Sequence, residues 1–340
     1  MKVAFYQFFP PTLWTPGGGE TQLVKTKEAL ERLGVEVTLF NPWSRSKDFD
    51  ILHVFGSSHE LSSFVRAAKG LGLPVVVSII AFSAKPSWQW WLWRRIDRFI
   101  PIPTTYRLRQ EIYTNADRLI VASRSEAEQL SHGFRINNKK YRWVPHGIEG
   151  ERFIKAEPKL FIERYGLQDF VLQVSRINRH KGQARLIRAL EGTGIKLVFI
   201  GPLDPIDQQG TQEFLNLVEK HSGWVHYLGT LKYDDQLLPS AYAACRVHVL
   251  PSTSESLGLV TLESTAAGAA AVSGNYPTLY EYLGERVYYC EPASIASIRA
   301  SVLQAYEEGI KPGAREYVVD NFSWDRTAER LLEVYQEVLA

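Results

Sequence analysis

The chain has 340 residues, of which 45% are hydrophobic, so it is long enough for two domains that each bury a core. Its net charge of +2 excludes the bulk basic excess that marks many nucleic-acid-binding proteins, and we expect no nucleic-acid partner. The chain has two cysteines, which lack the spacing of a metal site. We therefore expect Cys245 and Cys290 to be buried, reduced thiols in a cytoplasmic protein.

Neither a targeting segment nor a membrane-spanning helix is expected. The first residues run directly into a predicted strand, which leaves no apolar leader. The most apolar stretch, residues 70–84, is 15 residues long and contains Pro74. A helix that spans a bilayer needs roughly 20 apolar residues, so this stretch is too short.

Strands and helices alternate along the first half of the chain. A β-rich run at Lys2–Phe8 leads into the glycines of Pro16–Glu20, a helical stretch at Thr21–Leu33 and a strand at Val35–Phe40. This pattern indicates a βαβ unit whose glycines let the backbone approach a ligand, although a flexible loop is the alternative interpretation. Further strands are predicted at residues 50–55, 74–80, 118–122 and 141–145.

The second half repeats this alternation without repeating the sequence. A strand over residues 170–176 is followed by a polar loop, and the segment 322–339 is predicted to form an amphipathic helix. Other strands are predicted at residues 196–201, 225–228, 247–250 and 269–273. We therefore expect an α/β protein with a first domain at 1–152, a second domain at 153–323, and helix 324–340 packed back on the first domain.

Two cations stand at the carboxyl end of a strand in the second half. Arg176 and Lys181 lie in the loop that joins this strand to a helix, which is where open α/β sheets bind ligands. A diphosphate is held well by an arginine fork together with a lysine point charge. Two exposed surface cations are the alternative interpretation.

The stretch Ser252–Gly268 follows another predicted strand and carries two glutamates. Glu255 and Glu263 are separated by seven residues, and Gly258 lies between them where a helix begins. The free N–H groups of that helix start would bind a phosphate, and the carboxylates would accept hydrogen bonds from sugar hydroxyls. The pattern favours a nucleotide-sugar ligand, although a solvated helix face has the same spacing.

These motifs together resemble a known enzyme family. Residues Glu255–Glu263, followed by Ala266–Gly268, are similar to the E-x7-E signature of retaining glycosyltransferases with the GT-B fold, in particular those of family four (glycosyl transferases group 1). Val174–Gly182 resembles the donor-diphosphate motif of that family, with Ser175 where glycine is usual. Pro16–Glu20 resembles its acceptor-side loop. The resemblance implies two Rossmann-like α/β domains that face each other across a cleft, the first binding the acceptor and the second the nucleotide-sugar.

The resemblance also implies roles for individual residues. Glu263 would bind the ribose hydroxyls and Glu255 the donor sugar, and the catalytic set would be Glu255, Arg176 and Lys181. No Asp-x-Asp motif lies where a divalent ion would bridge the phosphates, so we expect no metal and no cofactor. The predicted donor-binding residues are Gly18, Gly19, Arg176, Lys181, Glu255, Ser256, Leu257, Gly258, Leu259 and Glu263.

One feature of the family has no counterpart in the first half. Many members carry a histidine after the central strand of the first domain, but residues 77–85 contain none. Ser78, Ser83 or Lys85 could line the site without replacing an imidazole. His53, which is otherwise a packed structural histidine, and His146, a possible cleft residue, are the alternatives.

A tryptophan-rich basic segment is the other distinctive feature. Four of the nine tryptophans lie within residues 88–93, and residues 85–110 contain six cations against a single acid. Indole rings and cations together favour the interface of an anionic bilayer, or a lipid-linked acceptor. The alternatives are a core-packed aromatic helix and an aromatic platform for a soluble oligosaccharide. The predicted acceptor or membrane residues are Trp88, Trp90, Trp91, Trp93, Arg94, Arg95 and Arg98.

The function that the resemblance implies is hexosyl transfer with retention and without a metal. A hexose-type sugar would move from a UDP- or GDP-sugar to a saccharide or lipid-linked acceptor, in polysaccharide, glycan or glycolipid synthesis. The protein would be cytoplasmic and peripheral on the cytoplasmic face of the membrane. The alternatives are a nucleotide-sugar epimerase of the same fold and a non-catalytic nucleotide-sugar-binding homologue. The nucleotide base, the sugar and the acceptor stay open.

Overall fold

The computed structural model describes residues 1–8, 18–45, 47–79, 87–97, 99–253, 255 and 258–340. The chain divides into two compact units, one made of residues 1–147 with 324–340 and the other of residues 148–323. The division falls after residue 147, whereas we predicted it after residue 152. The C-terminal helix belongs to the first unit.

The first unit is a parallel sheet of six strands with helices around it. In the sheet the strands lie in the order β2-β1-β3-β4-β5-β6. The strands are β1 (Lys2–Gln7), β2 (Glu36–Leu39), β3 (Ile51–Phe55), β4 (Val75–Ser78), β5 (Arg118–Val121) and β6 (Tyr141–Trp143). The helices are α1 (Gly18–Arg32), α2 (Ser62–Gly70), α3 (Ser87–Asp97), α4 (Thr105–Asn115), α5 (Arg124–Phe134) and, at the end of the chain, α15 (Trp324–Leu339).

Alternate residues of these strands fill two different cores. In β1, Phe5 packs with helices α1 and α15 on one face, while Ala4 belongs to the cluster on the other face. Every residue of β3 and of β4 is buried, as expected for the central strands of a parallel sheet that is covered on both sides. The buried residues of α15 recur every three or four positions, which confirms the predicted amphipathic helix.

His53 lies inside the first core and has a structural role. Its Nδ1 is 2.5 Å from the hydroxyl of Tyr335 on α15, and its Nε2 is 2.8 Å from Oγ of Ser78 on β4. Burial lowers the pKa of His53 to about 3, so the ring is neutral near pH 7. The histidine therefore ties the C-terminal helix to the sheet, as the structural interpretation predicts.

The second unit is also a parallel sheet of six strands. Its order is β12-β11-β10-β7-β8-β9. The strands are β7 (Phe170–Val174), β8 (Leu197–Ile200), β9 (Val225–Tyr227), β10 (Cys245–Leu250), β11 (Ala270–Gly274) and β12 (Tyr288–Cys290). The helices are α6 (Gly150–Ile154), α7 (Lys159–Tyr165), α8 (Gln183–Leu190), α9 (Gln208–Lys220), α10 (Leu237–Ala244), α11 (Leu259–Ala266), α12 (Pro277–Leu283), α13 (Ile295–Glu308) and α14 (Ala314–Asn321).

Each sheet has one point where the strand order reverses. In the first unit the chain runs from β1 out to β2 and returns to the other side of β1 as β3. In the second unit it runs from β7 out to β9 and returns beside β7 as β10. At such a point the loops that follow the two neighbouring strands diverge and leave a crevice at their carboxyl ends. The order of the strands therefore selects one candidate site in each unit.

The two sheets confirm the predicted α/β class with two Rossmann-like units. Cys245 and Cys290 are both buried and free, as expected. In the part of the chain that the structure describes, no helix has the length and apolarity needed to cross a bilayer.

Candidate active site

Two loops meet at the reversal point of the second unit, one after β7 and one after β10. The amide of Thr253 donates a 2.7 Å hydrogen bond to the carbonyl oxygen of His180. At Gly182, which has φ +78°, a Cβ atom would lie 2.6 Å from the carbonyl oxygen of Pro251. The loops therefore approach more closely than any side chain at position 182 would allow.

Two glutamines hold the loop after β7 in place. Gln173 is fully buried in β7, and its Nε2 donates to the carbonyl oxygen of Lys181 at 2.8 Å. Gln183 Nε2 donates to the carbonyl oxygen of Arg176 at 2.8 Å. These bonds fix the backbone that carries both predicted phosphate ligands. Sequence reasoning missed this role of the glutamines, although Gln173 is an amide within an otherwise apolar strand.

The contact between Lys181 and Glu255 is the central feature of this site. Lys181 Nζ lies 2.6 Å from Oε2 of Glu255, and the two side chains are 25% and 15% exposed. We predicted the lysine as a phosphate ligand and the glutamate as a sugar ligand, and the structure brings them together. The pair also offsets the negative charge of the glutamate, which would otherwise repel a phosphate in this loop.

Gly258 starts helix α11 beside this pair. It is buried and has φ +60°, in the left-handed region, and α11 begins at Leu259 as the sequence pattern predicts. An added Cβ would lie 3.2 Å from Leu250 Cδ2, so a larger residue would press on β10. Ser256 and Leu257, which we predicted to bind the donor, lie outside the described residues.

Glu263 lies in the second turn of α11 and is only 4% exposed. The hydroxyl of Tyr242 donates to its Oε2 at 3.1 Å. Burial raises the pKa of Glu263 to about 7, so this carboxyl changes its charge near neutral pH. The buried carboxyl group is bonded to a tyrosine, and its binding to a ribose stays a prediction.

The reversal point of the first unit contains a cavity of about 370 Å³. Arg109 of α4 lines it, and its Nε and one Nη donate to the carbonyl oxygen and Oγ of Ser57 at 3.0 and 3.2 Å. Gly19, a predicted ligand, also lines this cavity, and Gly18 is the first residue of α1. Sequence reasoning missed the loop after β3 and the two lining residues of α4, namely Ser57, Ser58, His59, Thr105 and Arg109.

Among the described residues that follow strand β4, no side chain takes the place of the histidine that the family usually carries. Ser78 is buried and bonded to His53, while residues 80–86, with Ser83 and Lys85, lie outside the described residues. His146 is buried in the first unit, and burial lowers its pKa to about 4. Its ring is therefore neutral near pH 7, and its position in a cleft stays a prediction.

Helix α3 presents three of its tryptophans to solvent and packs the fourth inward. Trp88, Trp91 and Trp93 are 60%, 41% and 52% exposed. Trp90 differs from the prediction of a surface residue, because it packs against Phe134 of α5 with ring centroids 5.6 Å apart. Positions 88, 90, 91 and 93 point in different directions around a helix, so the four tryptophans cannot share one face and one of them turns inward.

Cations accompany the outward face of α3, and the helix is anchored at its end. The guanidinium of Arg95 lies 4.2 Å from the centroid of the Trp91 ring. Asp97 is buried and accepts a 2.7 Å hydrogen bond from Nε of Arg107 on α4. The side chain of Arg94 and the whole of Arg98 lie outside the described residues.

No group of three or more His, Cys, Asp or Glu residues that could hold a metal ion occurs within the described ranges. The described residues at the reversal point of the second unit offer cationic and hydrogen-bonding groups. Lys181 and the start of α11 present positive charge at one crevice, where Glu255 contributes a carboxylate. Arg176 lies in the same loop as Lys181, and Glu263 is buried within α11.

Comparisons with known proteins show which families the two halves of the chain resemble. The family described as Glycosyltransferase Family 4 matches residues 41–152, and Glycosyl transferases group 1 matches residues 161–321. An uncharacterized glycosyltransferase of Methanocaldococcus jannaschii is 31% identical over 237 residues, which cover 64% of this chain and 60% of that protein. A D-inositol 3-phosphate glycosyltransferase of Salinispora arenicola is 29% identical over 262 residues, covering 68% of this chain and 57% of that protein. The chain thus spans less than two thirds of the length of these relatives.

A solved structure matches over almost the whole chain. The Anabaena protein HepE, solved in complex with UDP, superposes with a TM-score of 0.78 at 16% identity and covers 99% of this chain and 100% of that one. At this identity the likeness shows the fold alone. The chain therefore has a GT-B fold, with residues 41–152 similar to Glycosyltransferase Family 4 and residues 161–321 similar to Glycosyl transferases group 1.

Proposed function

We propose that this protein is a retaining, metal-independent glycosyltransferase that moves a hexose from a nucleoside diphosphate sugar to a hydroxyl of an acceptor. The observation that carries the proposal is the meeting of Lys181 and Glu255, 2.6 Å apart, at the reversal point of the second unit. The predicted phosphate ligand and the predicted sugar ligand therefore lie together at the crevice where an open α/β sheet takes its ligand.

In this proposal the cationic residues bind the leaving group and a carboxylate binds the sugar. Arg176 and Lys181 would stabilise the charge that develops on the departing diphosphate, which is a role that a divalent ion serves in other enzymes. Glu255 would accept hydrogen bonds from the transferred hexose. When a diphosphate binds Lys181, it competes with Glu255 for the same ammonium group, so we expect the ion pair to loosen during binding.

Retention follows from attack on the face from which the leaving group departs. The acceptor oxygen bonds to the anomeric carbon as the bond from that carbon to the phosphate oxygen breaks. An oxygen of the leaving diphosphate takes the acceptor proton, so the step needs no protein nucleophile. The test is transfer in the presence of EDTA, followed by NMR of the product's anomeric configuration. Inversion of that configuration, or dependence on a metal, would contradict this mechanism.

The donor site is tested first by thermal unfolding with UDP, GDP, ADP and CMP. UDP is tested first because the structure of the Anabaena protein of similar fold was solved in complex with UDP. We expect one diphosphate to raise the Tm by mass action, and to raise it more at pH 8 than at pH 6. Burial raises the pKa of Glu263 to about 7, so more of this carboxyl is ionised at pH 8 than at pH 6, and an ionised carboxylate is the stronger acceptor for ribose hydroxyls.

The Glu263→Gln variant should lose this pH dependence, whereas Glu316→Gln, at an exposed position of α14 in the same unit, should keep it. No shift with any of the nucleotides would remove the transferase proposal. Binding of a nucleotide-sugar that is then epimerised without an acceptor would favour an epimerase instead.

We also propose that the protein lies on the cytoplasmic face of the membrane through helix α3. Trp88 and Trp91 are exposed beside Leu92 and Ile96, which are 41% and 46% exposed, and Arg95 stacks on Trp91. A helix that turns its apolar face outward and carries cations on that face suits an anionic bilayer surface.

Vesicle co-sedimentation tests this contact. We expect Trp88→Ala with Trp91→Ala to lower binding to phosphatidylserine-containing vesicles severalfold, and to leave nucleotide binding unchanged. Trp43→Ala is the matched control, because this residue is 92% exposed but lies outside α3. Equal partitioning of the double variant and the wild type would refute the membrane contact.

A further inference from the structure

A second cavity lies in the first unit, under the tryptophan-rich helix. It has a volume of about 480 Å³, within the usual range of about 300–1,000 Å³ for small-molecule sites. Its walls come from α3, the segment after it and the start of α4, and they are mainly apolar. The lining residues that matter here are Trp90, Trp93, Ile100, Ile102, Tyr106 and Arg109.

The walls of this cavity are held in place by contacts on their far side. Trp90 packs on Phe134, and the Tyr106 hydroxyl donates to the carbonyl oxygen of Gly133 at 2.6 Å. The Asp97–Arg107 ion pair joins α3 to α4. The cavity is therefore built by anchored side chains.

The apolar cavity adjoins the cavity at the reversal point of the first unit. That cavity is the more polar of the two, and its lining includes Gln7, Ser57, Ser58 and His59. Thr105 and Arg109, one turn apart on the same face of α4, line both cavities. Ser57 holds the Arg109 guanidinium through two hydrogen bonds, and the guanidinium fork has more N–H donors than these bonds occupy. A cation is thus fixed at the junction between an apolar and a polar compartment.

Such a pair of compartments fits a molecule with an apolar chain, an anionic group and a polar head in that order. A soluble oligosaccharide would leave the apolar cavity without matching surface, since sugars need polar partners. The chemistry of the two cavities therefore matches a hydrocarbon chain attached to a phosphate.

We propose that the two adjoining cavities form one acceptor site for a lipid phosphate. The apolar cavity takes the hydrocarbon next to the phosphate, Arg109 pairs with the phosphate, and the polar cavity takes the group that is glycosylated. The inference rests on the proposed function, because it names the acceptor class of the same transferase. The site is distinct from the outward face of α3, since Trp88 and Trp91 do not line the cavity.

Direct binding of farnesyl phosphate, below its micelle concentration and without vesicles, tests the proposal by calorimetry. We expect the wild type to bind farnesyl phosphate at least about tenfold more tightly than farnesol or inorganic phosphate. Arg109→Gln should reduce the affinity for farnesyl phosphate to that for farnesol, and Arg109→Lys should recover part of it. Ile102→Glu places a negative charge on a residue that is 63% exposed at this cavity, and it should weaken binding of both ligands.

The controls separate this site from the membrane surface and from the transferase proposal. Trp88→Ala with Trp91→Ala should leave farnesyl phosphate binding unchanged, and every variant should keep the wild-type Tm and nucleotide shift. Equal affinity of the wild type for farnesol and farnesyl phosphate, or full binding by Arg109→Gln, would overturn the inference. Binding that appears only with vesicles and is lost in the tryptophan double variant would also overturn it. Wild-type protein that binds a nucleotide but not farnesyl phosphate would refute this inference alone. Wild-type protein that binds no nucleotide would refute the proposed function.

Discussion

Replacing Lys181 with methionine is expected to lower kcat/KM for the donor by about 10²- to 10³-fold, the range seen when one charge-stabilising donor is removed from an active site. The reason is twofold. The departing diphosphate loses a cation, and Glu255 loses the ammonium group that lies 2.6 Å away and offsets its charge. The uncompensated carboxylate then repels the phosphate. We expect nucleoside diphosphate affinity to fall at least about tenfold.

A double-mutant cycle separates these two effects. Glu255→Gln alone should lose transfer but keep or improve diphosphate binding, and Lys181→Met with Glu255→Gln should bind diphosphate better than Lys181→Met. Arg179→Met is the matched control, because Arg179 is a cation of the same loop that is 61% exposed and bonded to Asp207. An unaltered Kd in Lys181→Met would remove this lysine from the donor site.

Gly201→Ala is expected to cost more than about 3 kcal/mol of the free energy of unfolding, or to prevent folding. Gly201 follows β8 with φ +145°, a conformation that L side chains rarely adopt. A Cβ there would lie 2.0 Å from the carbonyl oxygen of Ser175. Because the obstacle is backbone, relief of the clash must move the segment that carries Arg176, so any folded fraction should bind nucleotide more weakly.

Gly194→Ala provides the comparison for this prediction. Gly194 also has a positive φ of +75°, but nothing lies within 4 Å of an added Cβ. Only the left-handed backbone is penalised there, at about 1–2 kcal/mol. Urea unfolding followed by far-UV circular dichroism compares the two variants. A loss in Gly201→Ala no larger than in Gly194→Ala would show that the close approach at Ser175 is not rigid.

Hydrophobic pattern predicts most of the fold because it depends on local spacing. The apolar runs at β4 and β7 indicate central parallel strands, and the structure buries every residue of both. The turn of the chain at Gly258 and the helix after it also follow from local signals, since a left-handed residue at a helix start favours glycine. The boundary between the units lies after residue 147, and no marked change of composition accompanies it in the sequence.

Contacts between distant residues were beyond local pattern. Lys181 and Glu255 are 74 residues apart, and their meeting depends on β10 returning beside β7. The loop after β3, which brings Ser57 to Arg109, is selected by the equivalent reversal in the first sheet. Helix periodicity alone shows that the four tryptophans of α3 cannot share one face, but packing against Phe134 decides that Trp90 is the one turned inward.

The sequence by itself therefore determined the two α/β units, their strands, and the residue types able to bind a diphosphate and a sugar. These properties are set by periodicity and by the chemistry of single side chains. Only the tertiary structure decided which of those side chains meet, because strand order is fixed by packing of whole sheets and helices. It alone places Arg109 at the junction of an apolar and a polar cavity, since that junction is formed by parts of the chain that are far apart in sequence.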